Sequence, residues 1–276
     1  MGGNSGELWI FLRETAWAVF RITFLTYGTL FTCTLMAANR MIFQPPKPSY
    51  ADTPEVLKII TAEGIRISAI HLQNSQAVYT VLYSHGNAED IGDARPRLAT
   101  IRDAGFNVFA YDYHGYGTSG GRPSELNAYR DIDAAYDYLT VQLNIPPQRI
   151  ILHGYSVGSG PAVDLAARRP VAGLILESPF TTAFRVVTRI PLFPCDRFRN
   201  IDKIGRIGCP MLILHGTSDQ VIPFRHGKIL FRAAHEPKRF SPVEGANHFD
   251  LVQVAGGRYA EMLKDFAELV GAGGKP

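Results

Sequence analysis

Cysteine is scarce in this chain, which has only three among its 276 residues. A sparse and odd-numbered set gives no disulfide framework, and no Cys-x-x-Cys pair is present to form a zinc site. An excess of either charge is also lacking, because 28 basic residues face 25 acidic ones. A net charge of +3 is too small for a protein that neutralises phosphates, so we expect no nucleic-acid partner.

Charged residues make up only 19% of the chain, while hydrophobic residues make up 46%. The mean hydropathy is −0.01. This composition is typical of a globular protein and excludes a disordered or collagen-like chain. The length suits one large domain or two small ones.

The amino-terminal segment contains both tryptophans of the chain, Trp9 and Trp17. No charged residue lies between Ile22 and Ala38, a run near the lower limit of the roughly 17–25 apolar residues that span a bilayer. Tryptophan also favours the interface between membrane and water. We therefore predict that residues 1–40 form a single-pass membrane-anchor helix, with membrane lipid as a partner. A cleaved signal peptide and a helix packed on the domain are the alternatives.

The rest of the chain divides into three predicted segments. Residues 41–54 are rich in proline and are interpreted as a stiff linker. Residues 55–270 alternate strand and helix patterns and form the predicted catalytic domain. The last residues, 271–276, are interpreted as a loose tail.

Short continuous apolar runs in the predicted domain are typical of strands buried on both faces of a parallel sheet. Helical stretches separate these runs, which indicates βαβ units. The sequence therefore predicts an α/β fold with a mostly parallel central sheet, flanking helices, a starting hairpin and a small cap. The predicted strands are Val78–Tyr83, Val108–Tyr111, Ile150–Leu152, Gly173–Leu176 and Met211–Leu214. One predicted helix face consists of Leu126, Tyr129, Ile132, Tyr136, Leu139 and Leu143.

Residues 154–158, Gly-Tyr-Ser-Val-Gly, follow one of these strands and precede a helical stretch of small residues. A strand, a sharp turn and a helix around Gly-x-Ser-x-Gly form a nucleophile elbow, which exposes the serine above the sheet. Glycines on both sides let the neighbouring chain pass without Cβ clashes. Ser156 is therefore the predicted nucleophile. The same pattern recurs at 117–121, but no helix begins at Ser119, so we interpret that copy as a loop.

A serine nucleophile needs a base, and the base needs an acid that orients it. In this topology they follow along the chain in the order Ser, Asp or Glu, His. Asp219 lies just after a predicted strand, and His248 lies in the loop before the last helix, so they are the predicted acid and base. Glu177, at the end of another strand, is the rival acid. His226 and His235 are interpreted as packing or surface residues.

Two backbone amides are predicted to bind the oxyanion that forms when a serine attacks a carbonyl carbon. One belongs to Val157, directly after the nucleophile, and the other to Asn87 in the loop after an earlier strand. Losing one such donor typically costs ~3–4 kcal/mol of transition-state stabilisation.

Four further segments accompany the predicted catalytic residues: Ser84–Ala88, Tyr111–Gly117, Gly121–Glu125 and Leu176–Phe180. Together these motifs resemble the α/β-hydrolase superfamily, and within it the membrane-associated serine hydrolases. That branch includes protein depalmitoylases and lysophospholipid or monoacylglycerol lipases. The resemblance implies the α/β-hydrolase fold and a serine hydrolase that cleaves acyl esters or thioesters, with no cofactor or metal. Depalmitoylases carry an amino-terminal cysteine cluster, and the lone Cys33 here favours the lipase members.

Three other functions match parts of the sequence. Residues 115–120 fit the dinucleotide-binding pattern Gly-x-Gly-x-x-Gly, but a helix starts too late after them. Three of the five His-Gly pairs end predicted strands and would suit zinc, although turn packing explains them better. A catalytically inactive membrane scaffold is the main alternative. The acyl chain, the leaving group and the oligomeric state stay open.

Overall fold

The computed structural model describes residues 4–188 and 196–273 of the chain. It divides into two compact units, Met1–Met41 and Ile42–Pro276. The described residues of the first unit form one long helix, α1 (Asn4–Ile42), whose last residue is assigned to the second unit. The second unit contains the strands and the remaining helices that the structure describes.

Helix α1 is 39 residues long, and many of its apolar side chains are exposed. Among the described residues, no helix combines the length and the apolar character needed to cross a membrane. The apolar, single-pass anchor helix expected for residues 1–40 is therefore not supported. The reason lies in composition: Arg13, Glu14 and Arg21 interrupt the first half, and threonines recur through the uncharged run that follows.

The described residues of the second unit contain eight strands: β1 (Leu57–Ile60), β2 (Arg66–Leu72), β3 (Thr80–Ser84), β4 (Asn107–Tyr111), β5 (Ile150–Tyr155), β6 (Gly173–Glu177), β7 (Met211–Gly216) and β8 (Lys238–Val243). They form one sheet in the order β1-β2-β4-β3-β5-β6-β7-β8. β2 pairs in antiparallel fashion with β1 and β4, and the other neighbours are parallel. The predicted α/β architecture with a mostly parallel sheet is confirmed, as is its starting hairpin.

Helices cover both faces of this sheet. Those described are α2 (Arg95–Asp103), α3 (Glu125–Asp137), α4 (Ser159–Ala166), α5 (Arg185–Thr188), α6 (Arg225–Ala233), α7 (Leu251–Ala255) and α8 (Gly257–Gly273). Successive strand residues face opposite sides, so Leu82 belongs to one apolar core while Val81 and Tyr83 belong to the other. α3, α4 and α6 pack on the Leu82 side, and α2, α7 and α8 pack on the opposite side. Burial on both faces accounts for the continuous apolar runs of the strands.

The stretch 41–54, interpreted as a linker, packs within the second unit from Phe43 onward. Phe43 is buried, and its ring meets that of Phe198 with the centroids 5.8 Å apart. Farther along, the Tyr50 hydroxyl donates a hydrogen bond to the Asp112 carboxylate. Aromatic side chains among the prolines give this stretch contacts that its proline content does not indicate.

Two expected features lie partly outside the described residues. The small cap is expected between β6 and β7, where residues 189–195 fall outside the described ranges. The described part of that connection contains α5 and two short 3₁₀ turns. The expected tail, 271–276, is helical as far as Gly273, and its last three residues are also outside those ranges.

Candidate active site

A sharp turn joins β5 to α4 at Ser156, whose backbone φ is 53°. This left-handed conformation is uncommon for a residue with a Cβ and marks local strain. Close backbone approach requires the flanking glycines. A Cβ on Gly154 would lie 2.4 Å from the Gly158 carbonyl oxygen, and one on Gly158 would lie 2.1 Å from the Ser84 oxygen. The turn therefore has the geometry of a nucleophile elbow.

Three side chains singled out in the sequence form one hydrogen-bonded series at the end of the sheet. The Ser156 hydroxyl oxygen lies 3.0 Å from Nε2 of His248, and Nδ1 of His248 lies 2.8 Å from Oδ2 of Asp219. A ring protonated on Nδ1 donates to the carboxylate and accepts from the hydroxyl. All three residues are nearly buried. Such a series can remove the serine proton as Oγ attacks an electrophilic carbon.

Asp219 lies in the turn after β7, and backbone amides orient its carboxylate. Oδ1 accepts hydrogen bonds from the amides of Val221 over 2.9 Å and Ile222 over 2.7 Å. Burial raises the pKa of this carboxyl, but hydrogen bonds from His215 and His248, and the charge of His248, outweigh burial and hold the pKa below its usual value. The group is therefore an anion at neutral pH, as the partner of an imidazolium must be.

His248 stands in the loop between β8 and α7. Its backbone amide donates to the Asn247 side chain over 2.8 Å, and the Asn247 amide donates to Asp250 over 2.6 Å. The loop also touches the end of β7, where a Cβ on Gly216 would lie 2.3 Å from the Ala246 oxygen. The two hydrogen bonds shape the loop after β8, and the close approach at Gly216 brings the turns after β7 and β8 together, and with them the acid and the base.

Asn87 lies in the turn after β3. Its side-chain oxygen accepts hydrogen bonds from the Tyr116 hydroxyl and the Gln44 amide, each over 2.8 Å. Its own backbone N–H has no acceptor among the residues that the structure describes. The side chain is therefore occupied, while the backbone donor is available.

Val157 directly follows the nucleophile in a short 3₁₀ turn that leads into α4. Amides in the first turn of a helix lack intrahelical acceptors. The turn after β3 packs against this place, since a Cβ on Gly158 would lie 2.9 Å from the His85 oxygen. The two predicted oxyanion donors thus belong to segments in mutual contact.

Glu177, the rival acid, has partners other than His248. It is fully buried at the end of β6, where it forms an ion pair with Arg97 and accepts a hydrogen bond from the Tyr259 hydroxyl over 2.9 Å. Nε2 of His153 lies 3.3 Å away. Burial raises the pKa of Glu177, but the charge of Arg97, followed by the effect of His153, lowers the pKa to about 2.

Ser119, the serine of the second Gly-x-Ser-x-Gly copy, is engaged with the backbone. Its hydroxyl oxygen accepts from the Ser68 amide over 2.9 Å, and the hydroxyl donates to the Asp112 carbonyl oxygen over 3.3 Å. Ser119 lies in a loop after β4, as the sequence indicates. Its hydroxyl uses both its acceptor and its donor to hold that loop.

The two histidines interpreted as packing or surface residues have separate environments. His226 is buried, with Nδ1 3.0 Å from the Thr181 hydroxyl, whereas His235 is exposed. Burial, and then the charge of Arg225, lowers the pKa of His226 to about 4. In the described part of the chain, no group of three or more His, Cys, Asp or Glu side chains is arranged to hold a metal ion.

Phe249 is a residue at the site that the sequence patterns did not indicate. Its side chain is 69% exposed, and its ring meets His248 edge-on with the centroids 5.0 Å apart. Val221, beside the acid, is also exposed. Apolar side chains near a reacting group suit an apolar part of a substrate. The only signal in the sequence is the position of Phe249 directly after His248.

Comparisons with known proteins cover most of the chain. A family model described as serine aminopeptidase S33 matches residues 75–193. Alpha/beta hydrolase domain-containing protein 17B of Xenopus tropicalis is 38% identical over 265 aligned residues, which cover 85% of this chain and 91% of that protein. The Homo sapiens protein of the same name has the same identity and coverage.

A solved structure of a Pyrococcus furiosus esterase is similar in fold. It superposes with a TM-score of 0.69 and covers 82% of this chain and 98% of its own. The two sequences are 18% identical, so this likeness concerns the fold.

Proposed function

This chain belongs to the alpha/beta hydrolase domain-containing protein 17 family of serine hydrolases, and on that premise we propose that it hydrolyses acyl esters or thioesters through an acyl-enzyme on Ser156. The observation that carries the proposal is the hydrogen-bonded series of Ser156, His248 and Asp219. An inactive scaffold has no need to keep these three groups in hydrogen-bond register inside a strained turn.

In the first half of the proposed reaction, Oγ of Ser156 attacks the carbonyl carbon of the substrate. Nε2 of His248 takes the serine proton as the new C–O bond forms. The Asp219 anion stabilises the imidazolium and keeps its ring in the productive tautomer. The tetrahedral intermediate then collapses, and the imidazolium gives its proton to the departing alcohol or thiol. The acyl group remains as an ester of Ser156.

In the second half, water takes the place of the leaving group. His248 removes a proton from the water as the water oxygen attacks the acyl carbon. Collapse of this second intermediate returns the proton to Oγ of Ser156 and releases the carboxylic acid. In both halves the negative charge on the carbonyl oxygen is held by the backbone amides of Val157 and Asn87. The support is that the Asn87 amide has no other acceptor among the described residues.

The proposed substrate carries a long acyl chain. Phe249 supports this part of the proposal, since its exposed ring lies against His248. An acyl chain that covers this ring removes apolar surface from water on both partners.

Membrane lipid is the proposed partner of the first unit. Trp9, Phe24 and Leu25 are each more than half exposed on α1. Exposed apolar surface of this extent marks a site of interaction with an apolar partner, and tryptophan favours the membrane interface. The proposal concerns association with a lipid surface.

Hydrolysis of matched acyl esters and thioesters of increasing chain length tests this function. The wild-type chain is expected to release acid from both classes, and Ser156→Ala is expected to release none. Phe249→Ala is expected to raise KM for a palmitoyl ester about tenfold while leaving an acetyl ester unchanged, a difference of ~1.4 kcal/mol. Absence of turnover on every substrate would favour the scaffold, and equal effects on both chain lengths would remove Phe249 from the acyl site.

Flotation with phosphatidylcholine vesicles tests the lipid partner. The double variant Phe24→Gln, Leu25→Gln is expected to float less than the wild-type chain. Val141→Gln is a matched control, because Val141 is 65% exposed in the second unit. Equal flotation of all three proteins would contradict the role given to α1.

A further inference from the structure

Tyr155 directly precedes the nucleophile, and its side chain contacts both His248 and the turn that carries Asn87. We infer that Tyr155 is a positioning residue for the base: it sets where the His248 imidazole stands relative to Ser156, and the buried Arg97–Glu177 ion pair fixes Tyr155 in turn. The inference rests on the proposed function, because it concerns the base of that reaction.

Two contacts join Tyr155 to His248. The Tyr155 hydroxyl donates a hydrogen bond to the His248 carbonyl oxygen over 3.0 Å. The two rings are also stacked, with their centroids 5.5 Å apart and their planes inclined by 28°. Tyr155 is buried, so both contacts are shielded from water. The hydrogen bond fixes the backbone of the loop and the stacking restrains the imidazole, so together they define the direction of Nε2.

The same ring lies against the turn that carries Asn87. A Cβ on Gly86 would lie 2.8 Å from Cε1 of Tyr155, so only glycine lets this turn approach the ring. The Gly86 amide donates to the Glu89 side chain over 2.7 Å, which holds the turn in this position. One aromatic side chain therefore touches the base and the turn of the proposed oxyanion donor, while its backbone leads into the nucleophile.

A buried ion pair fixes Tyr155 from the interior. The Arg97 guanidinium lies over the Tyr155 ring, 4.0 Å from its centroid, and forms an ion pair with the fully buried Glu177. Glu177 also accepts a hydrogen bond from Tyr259 over 2.9 Å. Arginine over an aromatic face is attractive, and the attraction is stronger where water is excluded.

These contacts are more specific than packing requires. Burying two charges brings a desolvation cost that an apolar pair of similar volume avoids, so a buried ion pair is weak evidence for added stability. What the pair supplies is a fixed location for the guanidinium, and therefore for the ring above which it lies. Burial raises the pKa of Tyr155, and the phenol keeps its proton and remains a hydrogen-bond donor.

Tyr155→Phe is the most direct test, because it removes the hydroxyl and keeps the ring. Steady-state hydrolysis of a soluble acyl ester by the full chain is expected to show kcat lowered about tenfold with KM within about twofold of wild type. Small displacements of a catalytic group act on kcat in this way because they alter the transition state more than binding. Arg97→Lys keeps the charge and loses the planar group, and is expected to lower kcat about threefold.

Tyr136→Phe is the matched control. Tyr136 is also buried, its hydroxyl donates to the Pro170 carbonyl oxygen over 2.7 Å, and the Arg169 guanidinium lies 4.6 Å from its ring centroid. The control removes the same kind of hydrogen bond from α3 instead of from the site. It is expected to lower the thermal midpoint as much as Tyr155→Phe does and to keep the wild-type kcat.

The outcomes separate this inference from the proposed function. A wild-type chain without ester hydrolysis would refute the proposed function, and the inference with it. An active wild type with an unchanged kcat for Tyr155→Phe would overturn the inference alone. So would an equal loss of kcat in Tyr136→Phe, because the loss would then come from general destabilisation.

Discussion

The pattern Gly-x-Ser-x-Gly occurs twice in this chain, at 154–158 and at 117–121, and the two copies have different structures. In the first copy the serine itself has a positive φ of 53°. In the second copy the flanking glycines have positive φ, 49° at Gly117 and 81° at Gly121. The serine of the first copy meets an imidazole, whereas the serine of the second meets two backbone groups.

The elbow therefore depends on the strand and the helix that flank it in the chain. β5 ends directly before Ser156 and α4 begins three residues after it, so the turn between strand and helix is very short. Because the turn is short, the backbone comes close at Gly154 and Gly158. β4 ends at Tyr111, well before the second copy, and α3 begins after it at Glu125. Ser119 therefore does not lie in a strained turn between a strand and a helix.

The largest expected effect is on turnover, when His248 is removed. This base contacts the serine of the first copy and not that of the second. His248→Ala is expected to lower turnover of an acyl ester by ~10⁴–10⁶, because the three groups act as a unit. His235→Ala is the control, since that histidine is exposed. Initial rates under saturating ester measure both. A loss below about tenfold in His248→Ala would mean that Ser156 does not depend on this imidazole.

The second effect concerns the buried carboxylate of Glu177 at the end of β6. This strand pairs with β5, which leads into the elbow. The folded-state pKa of Glu177 is about 2, below the ordinary 4.5, so its ionisation stabilises the fold above about pH 4.5 and this contribution is lost as the pH falls toward 2. The contribution is roughly 3 kcal/mol. Glu177→Gln is expected to be less stable than wild type at neutral pH, with the difference shrinking on acidification.

Urea unfolding at several pH values between about 7 and about 3 measures this difference. Glu55→Gln is the control, because Glu55 is an exposed carboxylate. A difference between wild type and Glu177→Gln that stays constant over the whole range would contradict the lowered pKa of Glu177.

The smallest effect contrasts Gly158, which flanks Ser156, with Gly120, which directly follows Ser119. Gly158→Ala forces a Cβ against the Ser84 oxygen, and we expect it to lower the free energy of unfolding by about 2 kcal/mol. Gly120→Ala meets nothing nearer than 3.4 Å and is expected to change that energy by less than about 0.5 kcal/mol. Chemical denaturation of the two variants compares them directly. Equal changes would show that the position of Gly158 is no more constrained than that of Gly120.

The parts of the site that the sequence predicted are those tied to strand ends. Ser156 and Asp219 each follow a parallel strand, and the carboxyl ends of such strands meet at one edge of the sheet. His248 is predicted from its place before the last helix, but the strand that precedes it, β8, has no apolar run that would predict it. β8 is an edge strand with charged residues and Pro242, and edge strands need neither two apolar faces nor every backbone donor.

Contacts between distant segments could not be predicted from one sequence. The sequence pattern places Leu126 on one helix face with Tyr129 and Ile132, but Leu126 is exposed. Asp131 of the same helix is buried and accepts a hydrogen bond from the His114 amide over 2.9 Å. An acidic residue on a helix has the appearance of a solvent-facing one until its partner is located. The approach of Arg97 to Tyr155 is hidden for the same reason, since the two lie on separate elements.

Ser156, and not Ser119, is the proposed nucleophile. Covalent labelling of the folded full chain with a fluorophosphonate probe tests it most directly, with Ser156→Ala and Ser119→Ala compared with wild type. We expect labelling of wild type and Ser119→Ala and none of Ser156→Ala. Labelling that persists in Ser156→Ala, or that disappears in Ser119→Ala while the protein stays folded, would contradict it.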